Sequence, residues 1–166
     1  TIVAFMRLAD VTAEKADLAG ALNYLEQIVT QFPGSPKIPA VMLRQGELLS
    51  EMGRADEARE KYQYILRVPE WRGILHARAL YQIGESYMAE DAYAKAHGFY
   101  ERTFLGYPHL AEWSARAYLA DAKALIGMGE KQDAINTLNE AVVEISATAP
   151  AGILKSIKAK LKELQG

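Results

Sequence analysis

Few residues of this sequence have the types and spacing that enzyme chemistry requires. The segment GESYM, residues 84–88, fits only part of the G-x-S-x-G pattern of a nucleophilic serine, because Met88 replaces the second glycine and no strand precedes it. His76, His97 and His109 show no metal-ligand spacing such as H-E-x-x-H, and we interpret them as surface or turn residues. We therefore predict no enzymatic activity, no cofactor and no metal site.

Composition excludes further classes of function. The 166 residues are 50% hydrophobic, carry a formal net charge of −2 and include no cysteine, so neither a disulfide framework nor a thiolate site is available. This charge gives no general attraction to nucleic acid. No apolar run approaches the roughly 18 residues of a membrane span. The sequence starts without Met and lacks a signal-peptide pattern, so we expect a processed form or a fragment of a longer protein.

The elements that position the side chains are predicted to be helices throughout. Apolar residues recur at spacings of three and four, and no run of alternating β-branched residues appears. Ser35 is expected to cap a helix that has Pro36 at its first position. The chain is divided into about nine helices by turn-like segments at residues 31–36, 51–56, 67–73, 88–93, 105–110, 127–131 and 146–152.

An internal repeat organises these helices. One constant shift along the chain, which we call the repeat shift, places Gly46 on Gly84 and Gly84 on Ala122. A less regular first copy precedes them at a slightly shorter shift. A period of roughly 20–50 residues that is built from two helices indicates an α-solenoid. The repeat shift also superimposes Ala58, Ala96 and Ala134, then Tyr62, Tyr100 and Leu138, then Leu49, Tyr87 and Leu125.

The pattern within each copy resembles the tetratricopeptide repeat over about residues 3–144. The small residue, the alanine and the aromatic residue or leucine keep one spacing, as Gly84, Ala96 and Tyr100 illustrate. The resemblance implies an all-α, right-handed α-solenoid of about four helix hairpins and a C-terminal capping helix. We predict a single domain over residues 1–166, with repeats at about 2–35, 36–72, 73–110 and 111–146 and the capping helix at 150–165.

Two features of this pattern concern the positions around the small residue. We expect Gly84 to lack a side chain because the paired helix lies against the backbone there, which offsets the low helix propensity of glycine. Gln45 and Asp121 depart from the family pattern, since each replaces the apolar residue that usually precedes the small one. The repeats are also a few positions longer than the family's usual length of about 34 residues.

The resemblance also implies a binding surface. In the family, the first helix of each repeat lines a concave groove through positions three before, one after and four after the small residue. Asp10, Glu47 and Glu85 would form an acidic row above an apolar floor, so the predicted partner is a basic or amphipathic peptide. Alternatively, these acids only increase solubility. The predicted groove residues are Met6, Asp10, Leu43, Glu47, Ser50, Tyr81, Glu85, Met88, Leu119, Lys123 and Ile126, with Ala13 at the remaining position.

Three further features have two interpretations each. Trp71 and Trp113 are expected to pack the turns between repeats, with peptide recognition as the alternative. The basic amphipathic segment ILKSIKAKLKEL, residues 153–164, is interpreted as the capping helix. Its alternative role is contact with a membrane surface or a partner.

The predicted function is a non-enzymatic scaffold that binds a protein or peptide segment in the concave groove. The alternative is a structural or oligomerisation arm of a larger polypeptide, with no dedicated ligand. Residues 32–62 also resemble repeats of bacterial cell-envelope proteins, namely the periplasmic Tol-Pal coordinator and the outer-membrane barrel-assembly lipoprotein. That resemblance implies a periplasmic or cell-envelope location, whereas the composition is equally compatible with the cytoplasm.

Overall fold

The structure, a computed structural model, describes all 166 residues as helices joined by short turns. It contains no strand, which confirms the predicted all-α class. One 3₁₀ turn lies at Pro69–Trp71. The nine helices are α1 (Ile2–Glu14), α2 (Leu18–Gln31), α3 (Ile38–Glu51), α4 (Ala55–Arg67), α5 (Ile74–Ala89), α6 (Tyr93–Gly106), α7 (Ala111–Gly127), α8 (Lys131–Ile145) and α9 (Ala151–Gln165).

The chain divides into two compact units, and the boundary lies within α5. Unit 1 comprises Thr1–Ala79, in which α1 packs on α2, α2 on α3 and α3 on α4. Unit 2 comprises Leu80–Gly166, in which α6 packs on α7, α7 on α8, and α9 on both α7 and α8. The single domain over residues 1–166 stays a prediction.

Helix α8 buries the side chains that its apolar spacing predicts. In α8, Ala134, Leu138, Ala141 and Ile145 are 2% exposed or less and follow one another at steps of four, three and four. The segment read as a capping helix forms α9, which buries Ile157 against the core of unit 2. The apolar face of α9 is thus used for packing inside the chain.

The glycines at the repeat positions lie under tyrosine rings. A Cβ atom added to Gly84 would lie 2.6 Å from a ring carbon of Tyr100, and one added to Gly46 would overlap the ring of Tyr62 in the same way. Both tyrosines are fully buried. The expected close approach therefore exists, and its contacting group is an aromatic ring of the next helix, not the backbone of that helix.

The turn inside each helix pair has the same conformation in all four copies. Ala16, Gly53, Asp91 and Gly129 occupy equivalent positions, and all four have a positive φ, between 56° and 81°. The residue after each one donates its N–H to the carbonyl five positions earlier, as Arg54 does to Leu49 at 2.8 Å. This is the Schellman arrangement that ends a helix.

The start of α3 differs from the prediction. Helix α3 begins at Ile38, so Pro36 is not its first residue, although Pro39 does lie in the first turn. The Oγ atom of Ser35 accepts a hydrogen bond from the amide of Lys37 at 3.2 Å. Because Lys37, not Ser35, directly precedes the first helical residue, this bond closes a separate turn before the helix instead of capping it.

Candidate functional site

Unit 2 contains an open groove with a volume of about 320 Å³, which we call the unit 2 groove. Its walls come from α5, α6, α7 and the first part of α9. The residues that line it are Tyr81, Glu85, Met88, Tyr100, Arg116, Leu119, Ala120, Lys123, Gly152, Ile153 and Ser156.

Helical spacing brings the lining residues to one side of each helix. Tyr81, Glu85 and Met88 follow one another at steps of four and three along α5. Arg116, Leu119 and Lys123 do the same at steps of three and four along α7. Residues at these steps share one helical face. Five predicted site residues therefore lie in one groove, namely Tyr81, Glu85, Met88, Leu119 and Lys123.

Glu85 is oriented by a tyrosine hydroxyl group. The hydroxyl of Tyr100 donates to Oε1 of Glu85 at 2.6 Å, although Glu85 itself is exposed. Burial is the main cause that raises the pKa of Tyr100, and the nearby carboxylate of Glu85 raises it further. The same two causes raise the pKa of Tyr81. Both hydroxyls therefore stay protonated at neutral pH. Glu85 keeps an exposed carboxylate in a defined position.

The cationic side of the groove comes from α7. Arg116 donates from Nε and Nη2 to Oε1 of Glu112, at 3.1 and 2.8 Å, and its guanidinium lies 5.4 Å from the ring centre of Trp113. Trp113 in turn meets the ring of Tyr81 edge-on at 5.6 Å. Lys123 is exposed and forms no ion pair within the chain. The ammonium group of Lys123 is thus a cation in the groove lining that no carboxylate of the chain neutralises.

The predicted acids in unit 1 are already paired. Nη2 of Arg78 lies 2.8 Å from Oε1 of Glu47, and Nη1 of Arg44 lies 3.3 Å from Oε2 of the same carboxylate. Nε of Arg44 also lies 3.5 Å from Asp10. The carboxylates expected to meet a basic peptide are therefore partly neutralised by the chain's own arginines.

The remaining predicted positions differ in accessibility. Leu43 is 1% exposed and belongs to the core of unit 1, so its side chain does not reach a ligand. Met6 is half-buried and Ser50 exposed in unit 1, and Ile126 is half-buried on α7 outside the unit 2 groove.

Sequence reasoning did not single out the groups that complete these sites. The missed groups are the arginines Arg44, Arg78 and Arg116, the hydroxyl of Tyr100, and the start of α9. One signal was available, because the repeat shift that superimposes the glycines also places Arg78 on Arg116.

The histidines contribute nothing to the groove. His76, expected at the surface, is only 5% exposed, and its Nε2 lies 3.1 Å from the carbonyl oxygen of Val68. This contact ties the start of α5 to the preceding turn and gives the buried ring a polar partner. No three His, Cys, Asp or Glu side chains come together as a metal site would require. No helix combines the length and the apolar composition of a membrane span.

Comparison with known proteins addresses the fold. The family model "Tetratricopeptide repeat" matches residues 3–35 and 40–68. No curated protein matches the sequence. Many solved structures match, among them a tetratricopeptide repeat protein from Parabacteroides merdae ATCC 43184, with a TM-score of 0.75 and 16% identity. That alignment covers 99% of this chain and 60% of the other chain, so this chain spans only part of that protein's length.

Two further structures agree over nearly the whole chain. MamA from Desulfovibrio magneticus RS-1 matches with a TM-score of 0.66 and 17% identity, covering 99% of this chain and 94% of the other. A thermophilic tetratricopeptide repeat protein from Thermus thermophilus matches with a TM-score of 0.65 and 16% identity, covering 99% and 81%. Residues 3–35 and 40–68 therefore match the tetratricopeptide repeat, and the chain as a whole has the fold of tetratricopeptide repeat proteins, as its spacing of small residues predicted.

Proposed function

We propose that this chain is a non-enzymatic interaction module that holds a segment of another protein in the unit 2 groove. Tetratricopeptide repeats generally mediate contacts between proteins through surfaces of stacked helices. The observation that carries the proposal is an open groove of about 320 Å³ with both apolar and charged walls. Most sites that bind a ligand combine these two properties.

The lining residues suggest the chemistry of the partner. Met88, Leu119 and Ile153 offer apolar surface that is only half-buried in the free chain. Burying one apolar side chain of a partner there would contribute about 1.5–3 kcal/mol. The exposed charges of the groove are those of Glu85 and Lys123, together with Arg116. An amphipathic segment, with an apolar residue flanked by charged ones, fits this arrangement.

We propose a partner that carries charges of both signs instead of a purely basic peptide. Because Asp10 and Glu47 already bind Arg44 and Arg78, the acidic row does not extend as free carboxylates into unit 1. In unit 2 the acid Glu85 and the base Lys123 are both exposed. We therefore propose that acidic and basic groups of the partner both contribute to binding.

A display library of short random peptides tests the proposal. Peptides selected on the whole chain should contain an apolar residue with a charged residue close to it in sequence. Leu119→Glu should weaken the selected peptides by about 10-fold or more in fluorescence anisotropy, because it places a charge on the apolar wall. Lys158→Glu, on the exposed side of α9, is the matched control and should leave binding unchanged. Equal affinity for both variants would exclude this groove.

The two groove charges can be tested separately. Glu85→Gln keeps an oxygen that can accept from Tyr100 and should weaken only peptides that carry Lys or Arg. Lys123→Gln should weaken only those that carry Asp or Glu. If both substitutions leave every selected peptide unaffected, the proposed charge pairing is wrong even if Leu119 is required.

The alternative function is an oligomerisation arm without a dedicated ligand. It is favoured by α1, where Val3, Leu8 and Val11 are each between 45% and 47% exposed around a shallow depression. Sedimentation velocity would then show a concentration-dependent dimer that Leu8→Glu abolishes. A monomer at all concentrations would remove this alternative. A periplasmic or cell-envelope location stays a prediction.

A further inference from the structure

The contact between α6 and α7 in unit 2 contains a carboxyl group buried beside a histidine. Asp121 of α7 is 0% exposed, and its Oδ1 lies 2.6 Å from Nδ1 of His97 on α6. Its second oxygen, Oδ2, is buried without any hydrogen-bond partner. One oxygen of the carboxyl group is thus paired and the other is not.

Equivalent positions in the other repeats show what is unusual about this residue. The repeat shift places Asp121 on Ile83 and on Gln45, whose side chains are also almost fully buried, at 0% and 1%. These two side chains are neutral, whereas Asp121 can ionise. An ionised carboxylate in such a place is costly unless all its oxygens are paired.

The surroundings favour uptake of protons by this pair. Burial raises the pKa of Asp121 to about 6, although its bond with His97 acts in the opposite direction. Burial lowers the pKa of His97, but the bond with Asp121 and the negative charges of Asp121, Glu101 and Glu130 outweigh this and raise it. Glu101 of α6 lies 3.6 Å from Nε2 of His97, and Glu130 directly precedes α8. Tyr100 of α6, which also faces Asp121, is a neutral hydroxyl at these pH values.

We propose that His97 and Asp121 form a pH-sensitive link between α6 and α7, which stabilises unit 2 as the solution becomes mildly acidic. Both groups bind protons more tightly in the folded chain than in the unfolded one. Their contribution to stability is therefore largest at low pH and is lost as the pH rises through their folded-state pKa values. Because α6 and α7 also supply walls of the unit 2 groove, the link would set how firmly those walls are held.

Urea unfolding between about pH 5 and pH 7.5 tests the link, with Asp121→Asn as the variant. Asparagine keeps an oxygen that can accept from His97 but cannot ionise. Relative to this variant, the unmodified chain should gain stability as the pH falls, corresponding to an uptake of up to about one extra proton on folding. Asp133→Asn, the same change at an exposed residue of α8, is the matched control and should run parallel to the unmodified chain.

Two results would overturn the proposal. Parallel curves for the unmodified chain and Asp121→Asn would show that Asp121 does not take up a proton in this range. A relative gain in stability with rising pH would show that the folded chain binds fewer protons at this pair than the unfolded chain does, which is the reverse of the proposed uptake.

A direct titration keeps the proposal testable if Asp121→Asn does not fold. Nuclear magnetic resonance of the unmodified chain can follow the carboxyl carbon of Asp121 and the ring carbons of His97. A titration midpoint of Asp121 above about pH 5 supports the link, and a lower one contradicts it.

Discussion

The four helix hairpins, α1–α2, α3–α4, α5–α6 and α7–α8, use two different pairs of residues at the same close contact. The two central hairpins place Gly46 beneath Tyr62 and Gly84 beneath Tyr100. The comparison indicates that the size of the first residue is matched to that of the second. A large ring requires glycine, and a smaller side chain leaves room for a methyl group. At the equivalent positions, the first hairpin has Ala9 and Leu25 and the fourth has Ala122 and Leu138, all of them buried.

The two central hairpins differ from each other in their electrostatics. Glu47 and Glu85 directly follow the two glycines, and the repeat shift that superimposes them also superimposes Arg78 and Arg116. Arg78 binds Glu47 at 2.8 Å, whereas Arg116 binds Glu112 and Glu85 accepts from Tyr100. Equivalent positions therefore share their place in the repeat without sharing their polar partners. This difference leaves the charges of the unit 2 groove available.

Exchanging the residues of one close contact should have the largest effect. Gly46→Ala is expected to lower the free energy of unfolding by about 1–3 kcal/mol, because the ring of Tyr62 is fully buried and cannot move aside without cost. Adding Tyr62→Leu should recover part of this loss, since the pair then matches the first and fourth hairpins. Urea denaturation of the four variants in a double-mutant cycle measures the coupling.

The control for this experiment is Gly98→Ala. Gly98 lies within α6, and a Cβ atom there would meet nothing within 4 Å. Alanine should therefore stabilise the chain at this position by up to about 1 kcal/mol through helix propensity alone. Additive effects of Gly46→Ala and Tyr62→Leu would refute the size matching.

Removing one hydroxyl from each central hairpin sharpens the second comparison. Tyr100→Phe should lower the free energy of unfolding by about 1 kcal/mol, because its hydroxyl donates to the carboxylate of Glu85. Tyr62→Phe should lower the free energy of unfolding by less, because Glu47, the equivalent of Glu85, is bound by Arg44 and Arg78 and not by the hydroxyl of Tyr62. Thermal unfolding of both variants at one pH decides this. Equal losses would show that the bond to Glu85 contributes no extra stability.

The smallest expected effect concerns the turns within the hairpins. Ala16 adopts a φ of 63°, whereas the equivalent residues Gly53 and Gly129 adopt 74° and 81° without a side chain. Ala16→Gly should therefore stabilise the chain by about 0.5 kcal/mol, the relief of the strained conformation being partly offset by the greater freedom of the unfolded chain. The reverse change, Gly53→Ala, should be destabilising. A loss of stability in Ala16→Gly, measured by urea denaturation, would contradict this interpretation of the turn.

Much of the fold could be predicted because its causes are local in the sequence. The spacing of apolar residues predicted the helices, and the repeated small residues predicted the close contacts at Gly46 and Gly84. The start of α3 could not be predicted in the same way. Ser35 can either cap a helix or close a short turn, and composition alone does not distinguish these hydrogen bonds.

The candidate site was predictable only in part. Helical spacing brought Tyr81, Glu85 and Met88 to one face of α5, and these residues do line the groove. The burial of Leu43, at a position analogous to Tyr81, depends on the volume that neighbouring helices leave. The periodicity of one helix therefore does not predict whether Leu43 is buried.

The sequence by itself determined the helices, their pairing and the places where side chains must be small, because each depends on spacing along one chain. Only the tertiary structure decided which charge meets which partner, because long arginine and glutamate side chains can reach several neighbours from the same backbone position. Arg78 and Arg116 occupy equivalent positions and bind different acids. For the same reason, the burial of Asp121 beside His97 became visible only when α6 and α7 were brought together.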